Sequence, residues 1–241
     1  YLGQAQWLTY MTDVYTWRIV WFSWWQACLS TVISLSAAVL VARALARRQS
    51  FVGRWLLLRC FSVALVVPSI IAVFGIILLH GKYGYFNQLW LWLGGQPQSY
   101  VYGLTGILLA HVFFNLPLAT RILLQRLDTI NSETWRLSSQ LGMSSVDLWR
   151  HIEWPHIKGV LPQLAALVFA LCFTSFAIVM TLGGGPKATT IEVAIFQAIR
   201  FDFDIAKAVY LSLLQMVFCG FILWAGLRLG RPIDMFVGLE T

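Results

Sequence analysis

Hydrophobic residues along this chain do not recur with the period of a half-buried helix or strand. They run on without a charge for twenty residues or more. Spanning a bilayer as a helix takes about 20 apolar residues. Charge-free stretches of that length occupy 19–42, 60–79, 101–120, 159–182 and 208–227, and each is bounded by a basic residue or by a histidine, glycine or leucine at a loop edge. Five such stretches predict an all-α, polytopic transmembrane bundle filling 1–241 as one domain. Two further segments are not predicted to cross. Residues 83–93 are rich in aromatics (Tyr85, Phe86, Trp90, Trp92) and end at Gly94, Gly95 and Pro97, as suits the headgroup belt. Residues 190–199 follow the break Gly183, Gly184, Gly185, Pro186. As a helix they would reach about 15 Å, too short to cross, so they either lie flat on the outside or dip inward.

Composition agrees. Hydrophobic residues are 59% of the 241, charged residues 11%, and mean hydropathy is +0.73. Soluble chains hold roughly 45–50% and about 25%. A disordered chain, a nucleic-acid-binding domain and an ordinary soluble enzyme are excluded. The net charge of +7 reads as orientation, because Lys and Arg collect on cytoplasmic loops. Arg43, Arg47, Arg48, Arg54 and Arg59 follow the first stretch. Arg121, Arg126, Arg136, Arg150 and Lys158 follow the third, and Arg228 and Arg231 follow the fifth. These twelve fall on one side, against five on the other: Arg18, Lys82, Lys187, Arg200 and Lys207. The side with twelve is expected in the cytoplasm, with Tyr1 periplasmic and the C-terminus inside. An outside start without a signal peptide is expected to mean that another helix precedes Tyr1.

No catalytic or metal-binding constellation is evident. Cys28, Cys60, Cys172 and Cys219 lie far apart without C-x-x-C spacing and read as small buried hydrophobes. His80 falls on one side and His151 and His156 on the other, so no cluster suited to an integral membrane enzyme forms. The run Gly183–Thr189 does not make a phosphate loop, which needs Gly directly before Lys and Ser or Thr directly after; Pro186 and Ala188 stand there. His111 and Asn115, four apart, share a helix face ahead of Pro117, which lacks a backbone donor. They are read first as interhelical hydrogen-bond glue and second as pathway residues, since polar groups in membranes face bundle interiors or paths. An ion-coupled secondary transporter would place charge near the midplane, and His111 is weak support for one. The five stretches contain no Asp or Glu with which to meet a cation.

The loop 128–157 carries most of the functional signal. Ser132 is predicted to cap a helix starting at Glu133. Gly142 is predicted to end it in a left-handed turn. Ser144 and Asp147 form a variant capping box for a second helix, which Pro155 is predicted to end. Leu137, Leu141, Val146, Trp149 and Ile152 give this hairpin apolar surface, for docking either another protein or its own bundle.

The pattern Ser138, Ser139, Gln140, Leu141, Gly142, followed by Ile152, Glu153, Trp154, Pro155, resembles the "EAA" loop of ABC importer permeases. Gly142, Ile152 and Pro155 match, Arg136 stands at the glutamate position, and Trp154 replaces a leucine. Stretch 106–117, Gly-Ile-Leu-Leu-Ala-His-Val-Phe-Phe-Asn-Leu-Pro, and stretch 182–192, Leu-Gly-Gly-Gly-Pro-Lys-Ala-Thr-Thr-Ile-Glu, are similar to the permease subunits of bacterial thiamine ABC importers over nearly the whole chain. The resemblance implies a type I importer permease fold with two homologous halves in one polypeptide. This chain would be the N-terminal half without its first helix, set in the bacterial inner membrane. It further implies a periplasmic binding protein and a cytoplasmic ATPase dimer carrying Mg-ATP that docks on the loop through Arg136, Ser138, Ser139, Gly142, Ile152, Trp154 and Pro155. The permease itself would be no enzyme and hold no cofactor. A ferric-iron or polyamine permease would share the loop.

Overall fold

The computed structural model describes residues 9–230 apart from 97, 184, 186 and 187. Pro97, Gly184, Pro186, Lys187 and Arg231 lie outside the described residues. The described residues form helices and connecting turns, as the apolar runs require. In hydrocarbon every backbone polar group must be satisfied within its own segment.

The order is α1 (Val14–Arg47), α2 (Arg54–Val66), α3 (Ser69–His80), α4 (Tyr85–Trp92), α5 (Leu104–Asp128), α6 (Ser132–Gln140), α7 (Ser145–Leu148), a π-helical turn (Trp149–Glu153), α8 (Trp154–Ile157), α9 (Leu161–Phe173), α10 (Ala177–Leu182), α11 (Ile191–Arg200) and α12 (Ile205–Leu229). The segments Val14–Arg47, Ser69–Trp92, Leu104–Asp128 and Ile205–Leu229 are each long and apolar enough to cross a membrane. Ser145–Ile157 and Leu161–Phe173 are long and apolar enough only when taken together, and a bend of 64° separates them, so the first arm leaves the line of the second.

The structure redraws several of these segments. The stretch 60–79 is not one helix. It breaks between α2 and α3, where Val67 is extended ahead of Pro68, because the proline ring disfavours helical geometry in the preceding residue. The stretch 159–182 likewise splits at Thr174 into α9 and α10. Pro117, by contrast, is carried inside a continuous α5. Cys172 is buried and Cys219 is half-buried against the core, but Cys28 and Cys60 are exposed on helix faces, so half of the expected buried cysteines are not in the core.

The centre of the bundle is α1 against α5, with α9 packed across both and α12 behind α9. Asp13 caps α1 by accepting the N–H groups of Tyr15 and Thr16. Small residues permit the close approaches. Ala27, Ala38, Ala42, Ala110 and Ala119 are fully buried, as expected where van der Waals contact rather than water expulsion joins helices. At the α9–α12 crossing, a Cβ on Gly226 would stand 2.4 Å from that of Ala166. Gly226→Val is therefore expected to wedge the two helices apart at about 1–3 kcal/mol, read as a lower midpoint of thermal unfolding in detergent.

α11 does not lie flat. It runs antiparallel to the first half of α12. Its far end is tied back where the Asp204 N–H donates to the Ala198 carbonyl at 2.9 Å. At its near end, the Ile191 N–H donates to Ser23 Oγ of α1 at 2.9 Å, and Gln215 of α12 donates to Glu192.

Candidate functional site: a hairpin clamped to the first helix

At the basic end of the bundle the chain between α5 and α9 folds into the expected hairpin. Two details differ from the reading of the sequence and two agree with it. Asn131, not Ser132, occupies the N-cap position of α6, and it makes no side-chain cap bond. Gly142 does turn left-handed, at φ +63. Ser144 and Asp147 do form a reciprocal capping box. Pro155 does not end the second arm. Its missing N–H is absorbed by a π-helical turn just before it, in which the Trp154 N–H reaches back five residues to the Trp149 carbonyl. α8 then continues to Ile157, and the chain bends into α9.

The capping box can be checked by pH. Hydrogen bonds from the Ser144 side chain and backbone hold the Asp147 carboxyl below its ordinary 3.8. A depressed folded pKa means stabilisation that is present above 3.8 and lost as pH falls through the lower folded value. Amide protection in 144–150 is thus expected to fall below about pH 4 and to be low at every pH in Asp147→Asn. Hydrogen–deuterium exchange, corrected for intrinsic rates, reads both.

The hairpin is held by charge. Glu153 is 0% exposed and lies in the π-helical turn. Arg43 Nε donates to its Oε2 at 2.6 Å, and Arg47 Nε donates to its Oε1. Both arginines also grip the start of α7. Arg43 donates to the Ser145 carbonyl at 2.7 Å. Arg47 donates to the Ser145 hydroxyl at 2.6 Å and to its carbonyl at 3.1 Å. The Arg43 guanidinium also lies over the Trp149 ring, 4.8 Å from its centroid, and Trp149 packs against Trp154 at 5.4 Å. The end of α1, the start of α7 and the π-helical turn are thus joined through one carboxylate. Burying a carboxylate costs several kcal/mol unless it is paired and its lone pairs are filled, and here two forked donors fill them.

The residues expected to form a docking surface separate into two groups. Ser138, Ile152 and Glu153 are buried. Arg136, Ser139, Gly142, Trp154 and Pro155 are exposed. Leu137, Leu141 and Val146 project outward, Leu141 at 77% exposure, whereas Ile152 belongs to the core. His151 and His156 are exposed, each with Nδ1 against a carbonyl of its own helix, Asp147 and Ile152 respectively. Between the hairpin and the ends of α1 and α5 lies an open cavity of about 1000 Å³, floored by Ala46, Asp128, Trp135 and Gly142.

His111 and Asn115 do share a face, and that face points into the bundle. His111 Nδ1 lies 2.9 Å from Ser30 Oγ. Asn115 donates to Cys172 Sγ at 3.1 Å, and Gln26 donates to the Cys172 carbonyl at 3.0 Å. These bonds join α1, α5 and α9, and Pro117 is buried two residues past Asn115. That geometry is what interhelical glue requires.

Sequence reasoning left two features unassigned. The Arg43–Arg47–Glu153 clamp was read only as orienting charge plus part of a motif. Two arginines four apart share one helix face, and a lone acid within the otherwise apolar and basic end of the loop was the signal that could have matched them. Glu192 was placed outside the spans, yet the fold sets it beside Gln215, inside α12.

Among solved structures, the fold matches a bacterial ABC transporter involved in the import of the acidic polysaccharide alginate. The TM-score is 0.79 over 96% of this chain and 85% of that one, at 13% identity. A bacterial alginate ABC transporter in complex with an alginate pentasaccharide-bound periplasmic protein matches at 0.78 over 95% and 84%, also at 13% identity. By sequence, the chain is 51% identical over 227 residues to the thiamine transport system permease protein ThiP of Salmonella typhimurium, covering 94% of this chain and 42% of that protein. It is 49% identical over 230 residues to ThiP of Escherichia coli (95% and 43%). It is 42% identical over 217 residues to ThiP of Haemophilus influenzae (90% and 40%). The chain therefore spans less than half the length of these relatives, and the resemblance read from the hairpin and stretches 106–117 and 182–192 is borne out. The family described as binding-protein-dependent transport system inner membrane component matches residues 14–230, and the chain belongs to it.

Proposed function

We propose that this chain is one half of the membrane path of an ATP-driven importer for thiamine or its phosphates. In this reading it moves cargo from periplasm to cytoplasm by alternating access, together with a second homologous half. The observation that carries the reading is the hairpin. It presents Leu137, Leu141 and Val146 outward around the Gly142 turn while Arg43, Arg47 and Glu153 bind its base to α1. A surface that is apolar where it is free and rigid where it joins a membrane-crossing helix suits a part pushed from outside. The pusher in this reading is a cytoplasmic ATPase dimer, which holds Mg-ATP and does the hydrolysis. A periplasmic binding protein delivers cargo at the opposite end. The thiamine assignment is supported by the relatives' identity over nearly all of this chain, and the orientation by the gathering of basic residues at the hairpin end.

Uptake of radiolabelled thiamine by cells carrying the complete transporter tests the reading. Uptake is expected to require ATP and to withstand proton uncouplers. Uptake that persists without ATP would refute it, and so would competition by ferric iron or polyamine instead of thiamine. Cysteines placed at Leu141 are expected to react with impermeant maleimide only from the cytoplasmic face.

A further inference from the structure

One acid lies where acids are costly. Among the described residues, Glu192 is the carboxylate located between the two ends of the bundle; the others sit at the hairpin end or beside Asp13 and Asp204. Its depth follows from its partner. Gln215 Nε2 donates to Glu192 Oε1 at 2.6 Å. Gln215 is eight residues inward of Lys207 and thirteen short of Arg228 along one helix, about 12 Å and about 20 Å at the helical rise. Glu192 thus stands in the outer half of the apolar layer, at the level of Ser23.

Among the described residues no cation pairs with it: the ion pairs there are those of Glu153 with Arg43 and Arg47. Gln215 supplies one N–H, and its own carbonyl oxygen Oε1 is buried without a partner on a side chain only 7% exposed. The carboxylate and that oxygen belong to bonded neighbours, so the site offers acceptors and, among the described residues, no cation to meet them. Glu192 itself is only half-buried. A half-exposed acid at this depth cannot face hydrocarbon, because intramembrane charges turn toward bundle interiors or watered paths. A buried carbonyl left empty carries an unrepaid desolvation cost, which a cationic ligand would offset.

We infer that Glu192, oriented by Gln215, is the subsite that meets the positive charge of an organic cation in the outer half of the path. The inference rests on the proposed cargo, whose thiazolium ring carries such a charge. α11 is the device that brings the acid there. A segment too short to cross dips inward from the outer end, with its first turn anchored by Ser23, and the acid is carried into the outer half of the layer on a helix that lies within no span.

The test uses the complete transporter in proteoliposomes with its binding protein, and measures thiamine imported per ATP hydrolysed. Glu192→Gln keeps the shape and removes the charge. It is expected to keep ATP hydrolysis stimulated by cargo-loaded binding protein within twofold while thiamine imported per ATP falls at least tenfold. Gln215→Leu should fall in the same direction by less, and Glu192→Asp should recover most of the loss. An unchanged ratio in Glu192→Gln would overturn the inference. A parallel fall of stimulated hydrolysis and import in both Glu192→Gln and Gln215→Leu would also overturn it, since that marks a packing role or a pairing with the second half. Absence of thiamine uptake in the unaltered transporter refutes the cargo assignment instead, and is told apart by that control.

Discussion

Replacing Arg43 and Arg47 together with alanine is expected to destabilise the chain by about 3–5 kcal/mol, the cost of leaving a buried charge unpaired. The asymmetry of the clamp sets the size. Glu153 has no exposed side-chain surface, whereas each arginine side chain is 25% exposed. Removing Glu153 leaves two cations that can turn toward water, so Glu153→Leu should cost distinctly less than the double arginine variant. Removing both arginines leaves a carboxylate with nowhere to go. The triple variant, with Glu153→Leu added to the double, is expected to regain most of the lost stability, since apolar groups can replace a buried ion cluster nearly neutrally. Thermal unfolding of the purified protein in detergent reads the cycle. If the triple variant stays as unstable as the double, the unpaired carboxylate is not the cause. The same triple variant separates stability from action. It folds, but its hairpin is no longer tied to α1. In the complete transporter it is expected to hydrolyse ATP while importing less than a tenth as much cargo per ATP.

Gly142 carries the second large effect. Its φ of +63 is a conformation that costs residues with a Cβ about 1–2 kcal/mol, and more for a β-branched one. A Cβ there would meet nothing within 4 Å, so the penalty is purely one of backbone dihedral. Gly142→Asn is therefore expected to behave nearly as the parent, because asparagine tolerates the left-handed region. Gly142→Val should open the turn between α6 and α7, displace Leu141 and Val146 relative to one another, and reduce binding to the proposed ATPase at least tenfold. Co-purification of the ATPase with the complete permease, in matched amounts in the membrane, gives the comparison. Equal recovery with valine and asparagine would show that the hairpin tip is not the docking surface.

How much could be read in the chain itself is clear from particular residues. The run from Val14 to Arg47 has no alternative to a helix, because its apolar length leaves the backbone nothing else to bond to in lipid. Capping at Ser144 and the left-handed turn at Gly142 are local chemistry, and local chemistry is written in adjacent residues. Pro155 shows the limit. Its missing donor was legible, but the remedy was not: a π-helical turn that sets Pro155 in the first turn of α8, where no N–H is needed. Pro68 broke its helix while Pro117 did not, a difference that adjacent residues do not announce.

The sequence by itself determined that the chain crosses a membrane several times, which end gathers the positive charge, and that a capped hairpin interrupts the crossings at that end. Those properties follow from summed hydropathy, counted charge and neighbouring residues. Only the tertiary structure decided that α11 turns inward to set Glu192 against Gln215, and that one buried carboxylate ties the hairpin to α1. Both are pairings across the fold. Their energy depends on burial and on distance in space, and neither is a function of spacing along the chain.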